Sequence, residues 1–173
     1  TSSVMTFDYN DLRINLLDTP GHKDFSEDTY RVLMAVESAC MLIDVAKGVE
    51  DRTKKLYDVC RLRDIPIFTF VNKLDREGKD PLTLIDEIER TLNMQCYPVT
   101  WPLGIGQRFK GIYNRLNKKV YFYDQRREGD EYTEHDLSGP QDPILDKYLD
   151  AETAAQVRDE LELIESALPP FDV

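Results

Sequence analysis

The chain has 173 residues, 41% of them hydrophobic and 32% charged, with a formal net charge of −11. That length suits one domain of ordinary size, with room for a sub-domain, and the balance is that of a soluble globular protein. No apolar run approaches the roughly 20 residues of a membrane span, no signal-peptide pattern opens the chain, and the acidic excess argues against this chain by itself gripping nucleic acid through its phosphates.

Residues 4–9 and 12–18 are β-rich runs flanking Asn10-Asp11, a two-residue turn signal, and predict a hairpin. Residues 24–39 predict a helix: Asp24 and Glu27 resemble a capping box, and Val32, Ala35, Val36 and Ala39 form one apolar stripe. Residues 40–45, "CMLIDV", are a short apolar run of the kind expected in a parallel strand buried on both faces, closed by Gly48. A second helix is expected over 52–64, with Leu56, Val59, Cys60 and Leu62 or the Arg63 stem inward, and a second buried strand over 65–72. Asp80-Pro81 opens a third helix running to Met94, with Leu84, Ile88 and Leu92 spaced by four. The three cysteines, Cys40, Cys60 and Cys96, form no CxxC pair and read as reduced core thiols of a cytoplasmic protein.

Strand alternating with helix is the signature of a doubly wound α/β sheet. After Cys96 the rhythm changes, and the aromatic, Gly-rich stretch with alternation over 120–123 predicts short antiparallel strands, hence a small α+β insertion. Residues 126–143 are polar and read as a loop, in which His135 has no special role. A final helix is expected over 145–168, with Val157, Leu161, Ile164 and Leu168 on one face. The expected organisation is therefore an α/β part over 1–96 and an insertion with its helix over 97–173.

Two loops carry chemistry. "DTPGH", residues 18–22, follows a strand and precedes a helix, where ligands gather in open α/β sheets. Asp18 can hold a hydrated Mg²⁺, the Gly21 N–H can approach a terminal phosphate, and His22 stands where an attacking water must be oriented. "VNKLD", residues 71–75, ends a later strand. There Asn72 can pair with the O6/N7 edge of guanine, Asp75 can accept from its N1–H and 2-amino groups, and the stem of Lys73 can cover the base. A plain strand-to-helix connection and an Asn-Lys turn would explain either motif alone. Both in this order, at strand ends about fifty residues apart, are far more specific.

"GIGQRFKG", residues 104–111, imitates a phosphate loop, but Gly111, four spacers after Gly106, is followed by Ile112 where a phosphate loop needs Lys, so it reads as a turn. "ESAL", residues 165–168, imitates the guanine-supporting segment of GTPases but lies inside an amphipathic pattern. The basic residues Arg108, Lys110, Arg115, Lys118 and Lys119 interleave with Phe109, Tyr113, Tyr121 and Tyr123. An RNA-facing surface is one reading of that cluster, and the solvated face of a hairpin is the favoured one.

Through "DTPGH" and "NKLD" the chain resembles the translational GTPases. Through "DFSEDTYR", "AKGVEDRT", "RLRDIPI" and "PVTWPLGIGQRFKGIYN" it resembles the bacterial class II peptide chain release factors among them. Lys23 stands where that group would carry an acidic residue. The resemblance implies an incomplete doubly wound P-loop GTPase-type sheet, mostly parallel with one antiparallel edge hairpin, and a small α+β insertion. It implies GTP or GDP and Mg²⁺ as ligands, with Asp18, Thr19, Pro20, Gly21 and His22 near the metal and γ-phosphate. His22 is the implied water-positioning residue, and Asn72, Lys73, Leu74 and Asp75 the implied guanine readers. The implied partners are the ribosome and class I release factors, with neither DNA nor a membrane. The 173 residues hold no Gly-x4-Gly-Lys-Ser/Thr, and the opening at Thr1 reads as an excised end. The expectation is thus a GTPase-domain fragment, inactive by itself and prone to self-association. An elongation factor G-type translocase, or a non-catalytic interaction module for these residues alone, are the alternatives.

Overall fold

The structure, a computed structural model, describes residues 3–19, 27–123 and 132–167, with residues 27–29 described by backbone alone. These fall into two compact units. The first takes its residues from Thr1–Leu42 and Asp51–Phe70, the second from Ile43–Glu50 and Val71–Val173. The fold is α/β, with parallel and antiparallel ladders.

In the first unit, strands β1 (Ser3–Tyr9) and β2 (Leu12–Asp18) pair antiparallel from Ser3 opposite Asp18 to Tyr9 opposite Leu12. The hairpin turns where predicted. Asn10 and Asp11 both take positive φ, 45° and 63°, the pair of left-handed residues that matches a tight turn to the strand twist. The opposed Thr6 and Asn15 share a hydrogen bond of 2.9 Å, and the opposed Asp8 and Arg13 an ion pair. Helix α1 (Glu27–Leu33) ends earlier than its apolar stripe suggested. The Met34 and Ala35 N–H groups close back on Arg31 and Val32, and Ala39 already belongs to the next strand, donating to the Pro66 carbonyl. The Asp24 end of the predicted helix lies outside the described residues.

Strand β3 (Ala39–Asp44), helix α2 (Asp51–Leu62) and strand β4 (Ile67–Asn72) follow. Strands β3 and β4 pair, and they run parallel: the Ala39 N–H bonds Pro66 at one end, the Val45 N–H bonds Asn72 at the other. The expectation of strands buried on both faces is corrected here. Ile43 is buried, but Cys40, Leu42, Phe68 and Phe70 are exposed, so Cys40 is not a core thiol. Leu62 also turns outward, 85% exposed, while Cys60 is the buried residue of α2.

The second unit has a closed core. Helix α3 (Pro81–Leu92) starts as its sequence dictates: the Asp80 side chain accepts from the Thr83 N–H, and Pro81 occupies the first turn, where its missing N–H costs nothing. Leu84, Ile88 and Leu92 are its buried face, and Asn93 ends it in the left-handed region. Strands β5 (Thr100–Leu103), β6 (Gly111–Asn114), β7 (Lys119–Tyr123) and β8 (Tyr132–Asp136) form an antiparallel sheet in that order. Trp101, Leu103, Tyr113, Val120 and Phe122 from the sheet pack against Leu145, Leu149, Val157, Leu161 and Ile164. The polar tips of this core are satisfied. Trp101 Nε1 donates to Glu160, and the buried Arg115 guanidinium donates to Glu165 and to the Pro98 and Ile164 carbonyls.

Two predictions fail in this unit for identifiable reasons. Residues 126–143 are not simply a loop, because β8 lies within them as an edge strand. Its residues, Tyr-Thr-Glu-His-Asp, show no apolar alternation, since neither face of the strand is buried and its ladder with β7 holds it in place. His135 sits on that strand, 2.9 Å from the hydroxyl of Tyr148, whose ring stacks on Phe122. The single helix expected over 145–168 is two, α4 (Ile144–Tyr148) and α5 (Ala151–Ala167). Leu149 is extended and buried, and the Asp150 carboxylate caps the second helix through the N–H and hydroxyl of Thr153.

Candidate functional site

Asp18 closes β2 with its side chain exposed, and Thr19 follows it, partly buried. Pro20, Gly21 and His22 lie outside the described residues. Among the described residues no group of three or more His, Cys, Asp or Glu could hold a metal ion. One exposed strand-end carboxylate nevertheless fits Mg²⁺, which keeps several waters and is held by one or two carboxylates plus the phosphates of its substrate.

Asn72, Lys73, Leu74 and Asp75 are brought together on one tight turn at the end of β4. Its backbone is pinned from three directions. The Asn72 carbonyl accepts from Val45, the Lys73 carbonyl accepts from the Arg76 N–H, and the Leu74 carbonyl accepts from the Gly106 N–H at 2.8 Å. Lys73 has φ +67°, and Asn72 and Asp75 of the same turn are both exposed. Asn72 Oδ1 accepts the Lys73 N–H at 2.8 Å. Its amide NH₂ is thereby left as a donor, suited to the acceptors N7 and O6 of guanine, while the exposed Asp75 carboxylate supplies acceptors only.

Around this turn the structure places groups that the motif search missed. Lys73 Nζ lies 2.7 Å from Asp44 Oδ2, and Asp44 Oδ1 accepts from the N–H groups of Ala46 and Lys47. The Lys73 ammonium, first, and these N–H groups hold the Asp44 carboxyl below its ordinary range. The loop after β3 is clamped in turn by α3: Glu87 accepts from Lys79 and from the Val49 N–H, and Lys79 Nζ also donates to the Lys47 carbonyl. The Lys79 ammonium is the main cause that keeps the Glu87 carboxyl low. Gly48, at φ +73°, passes so close to Glu87 and Lys79 that a Cβ would collide with both. "GIGQRFKG" is a turn, as read, but a turn that supports the Asn72–Asp75 loop through Gly106. The sequence signal for Asp44 was available: a strand-end Asp followed by Gly48, on the strand next to β4.

The basic cluster resolves towards structural roles. Arg115 is buried on Glu165, Lys118 pairs with Glu165, Lys119 with Glu134, and Arg108 with Glu152. A cavity of about 340 Å³ lies beside this cluster, lined by Tyr113, Leu137, Leu161 and Glu165, and takes no residue from the Asn72–Asp75 turn.

The profile of the elongation factor Tu GTP binding domain matches residues 1–165. A protein named peptide chain release factor 3 from Gloeothece citriformis is 52% identical over all of this chain and 32% of its own length. Another of that name, from Microcystis aeruginosa, is 51% identical over 95% of this chain and 30% of its own. The chain thus spans about a third of the length of these curated relatives. A crystal structure of a protein from Thermus thermophilus is similar over 92% of this chain and 22% of its own, at 25% identity and a TM-score of 0.70. With the profile covering nearly the whole sequence, the chain belongs to the elongation factor Tu GTP-binding domain family.

Proposed function

We propose that these residues are the guanine-reading and γ-phosphate-sensing part of a translation-termination GTPase, which hydrolyses GTP and promotes departure of class I release factors from the ribosome. The observation that carries the reading is the turn at the end of β4, where Asn72 offers donors and Asp75 acceptors from one pinned backbone. Asn72 takes the O6/N7 edge of guanine and Asp75 its N1–H and 2-amino group, a pairing adenine cannot match. Asp18 holds the hydration shell of Mg²⁺, the ion that neutralises charge on the phosphates when bound. Gly21 gives its N–H to the γ-phosphate, and His22 orients the attacking water when the ribosome activates hydrolysis.

The test is base choice in the full-length protein. Asp75→Asn exchanges an acceptor for a donor and shifts preference from GTP to xanthosine triphosphate, with a loss of about 1–3 kcal/mol in GTP binding. Unchanged GTP affinity removes Asp75 from the site. Acceleration of class I release factor turnover on terminating ribosomes separates this function from that of a translocase.

Residues 1–173 alone contain no phosphate loop, the element that supplies most of the binding energy for a nucleoside triphosphate. Their first unit also presents Val4, Phe7, Phe68 and Phe70 to solvent. Alone, they bind GTP weakly, hydrolyse none measurably and self-associate. Calorimetry with GTP·Mg²⁺ and light scattering measure this, and micromolar binding by a clean monomer overturns it.

A further inference from the structure

We infer that Asp44 is a positioning residue for guanine recognition, acting through Lys73: it anchors the ammonium so that the aliphatic stem forms a fixed floor for the base. The inference rests on the reading of the Asn72–Asp75 turn as the base site.

The strand-end position of Asp44 invites a different role, that of a metal ligand, and its hydrogen bonds decide against it. Oδ1 is taken by the N–H groups of Ala46 and Lys47 at 3.0 and 3.3 Å, and Oδ2 by Lys73 Nζ at 2.7 Å. The Asp44 carbonyl also accepts from Gly48, and the Val45 N–H binds the Asn72 carbonyl. Asp44 is therefore a rigid post, with 19% of its side chain exposed, built into the same ladder that carries the base-reading turn.

Exposed ion pairs usually contribute little, because two flexible side chains must be held in one geometry. Here one partner is immobile before the pair forms, so only Lys73 gives up freedom. Its stem is held at both ends, by a backbone at φ +67° and by Asp44, and yet its side chain stays 43% exposed. A methylene chain stretched, fixed and open to solvent is a surface on which a planar base can lie, and its ordering cost is met before the ligand arrives. The two readers on either side, Asn72 and Asp75, then face a base whose plane is already set.

The test uses the full-length protein and a fluorescent GDP analogue. Asp44→Asn keeps an oxygen for the Ala46 and Lys47 N–H groups but removes the charge that holds Lys73. It should weaken GDP binding about tenfold through faster release, with the melting temperature unchanged. In a Lys73→Met background the same change should have no further effect, a coupling that a purely structural role would not produce. Should Asp44→Asn fail to fold, Asp44→Ser, whose hydroxyl still accepts from Ala46, is measured in the same way. Binding within twofold of the unchanged protein, or an undiminished effect in the Lys73→Met background, overturns the inference. If Asp75→Asn shifts base choice while Asp44→Asn is silent, the positioning role alone falls; if Asp75→Asn is silent too, the base-site reading falls and takes this inference with it.

Discussion

The two units of this chain are built from similar side chains and treat them differently. In the second, the aromatics on the packed face of the sheet are enclosed: Trp101 and Tyr113 are buried, and each finds a glutamate for its polar tip, while Tyr123 and Tyr132 stay exposed. In the first, Phe7, Phe68 and Phe70 stand on regular strands with about half or more of their surface in water. Strand propensity and burial are thus separate facts. A run of Ile, Phe, Thr and Val suits a pleated strand once a neighbour offers a ladder, but it is covered only where another element packs against it. The second unit carries its own cover in α4 and α5, supplied by the same stretch of chain as its sheet.

The largest effect should come from the place where that sheet is tightest. Gly111 on β6 passes so near the backbone of Tyr121 on β7 that a Cβ would lie inside the carbonyl oxygen. Gly111→Ala must part the two strands and should cost on the order of 4 kcal/mol or more. Trp101 is the sole tryptophan, so its fluorescence in a denaturant series reports this unit directly. A midpoint that does not move would mean that the sheet is looser than the geometry says.

A smaller effect belongs to the polar side of the same core. Arg115→Ala strands the Pro98 and Ile164 carbonyls and removes one of two cations from Glu165, at about 3 kcal/mol. Acid should act on the same cluster. Burial alone would raise the Glu165 carboxyl, but the Lys118 and Arg115 partners outweigh it and set it below its ordinary 4.5. A carboxylate lowered by folding stabilises fully above its unfolded value and loses that contribution as pH falls beneath it. Stability measured downward from about pH 6 should therefore fall off below about 4.5, and less steeply in Arg115→Ala. Equal slopes would detach Glu165 from the acid response.

The smallest change in stability is expected in the first unit. Phe68, 61% exposed, should tolerate Phe68→Ser within about 0.5 kcal/mol by the far-UV circular dichroism midpoint, which reads the strands and helices of both units. Together with Phe70→Ser it should nonetheless lower light scattering by residues 1–173 alone. A loss of several kcal/mol would show Phe68 to be covered after all, and unchanged scattering would locate self-association elsewhere.

What could be read from the amino-acid order is what depends on neighbours in the chain. The Asn10-Asp11 turn follows from two residues that tolerate positive φ, and the start of α3 from an Asp that reaches three residues forward and a Pro that needs no N–H partner. The Asn72–Asp75 turn was legible for the same reason, since its residues are contiguous. Tertiary structure alone decided the rest. The break between α4 and α5 hides in a stretch whose apolar period continues across it, because Leu149 stays buried while its backbone leaves the helix. Strand β8 exists because β7 offers it a ladder, not because its own polar residues ask for one. Asp44 reaches Lys73 across 29 residues of sequence, and Gly106 reaches Leu74 from the segment between β5 and β6. These contacts form only when β3 and β4 lie side by side and the chain returns past them, and no local propensity encodes that return.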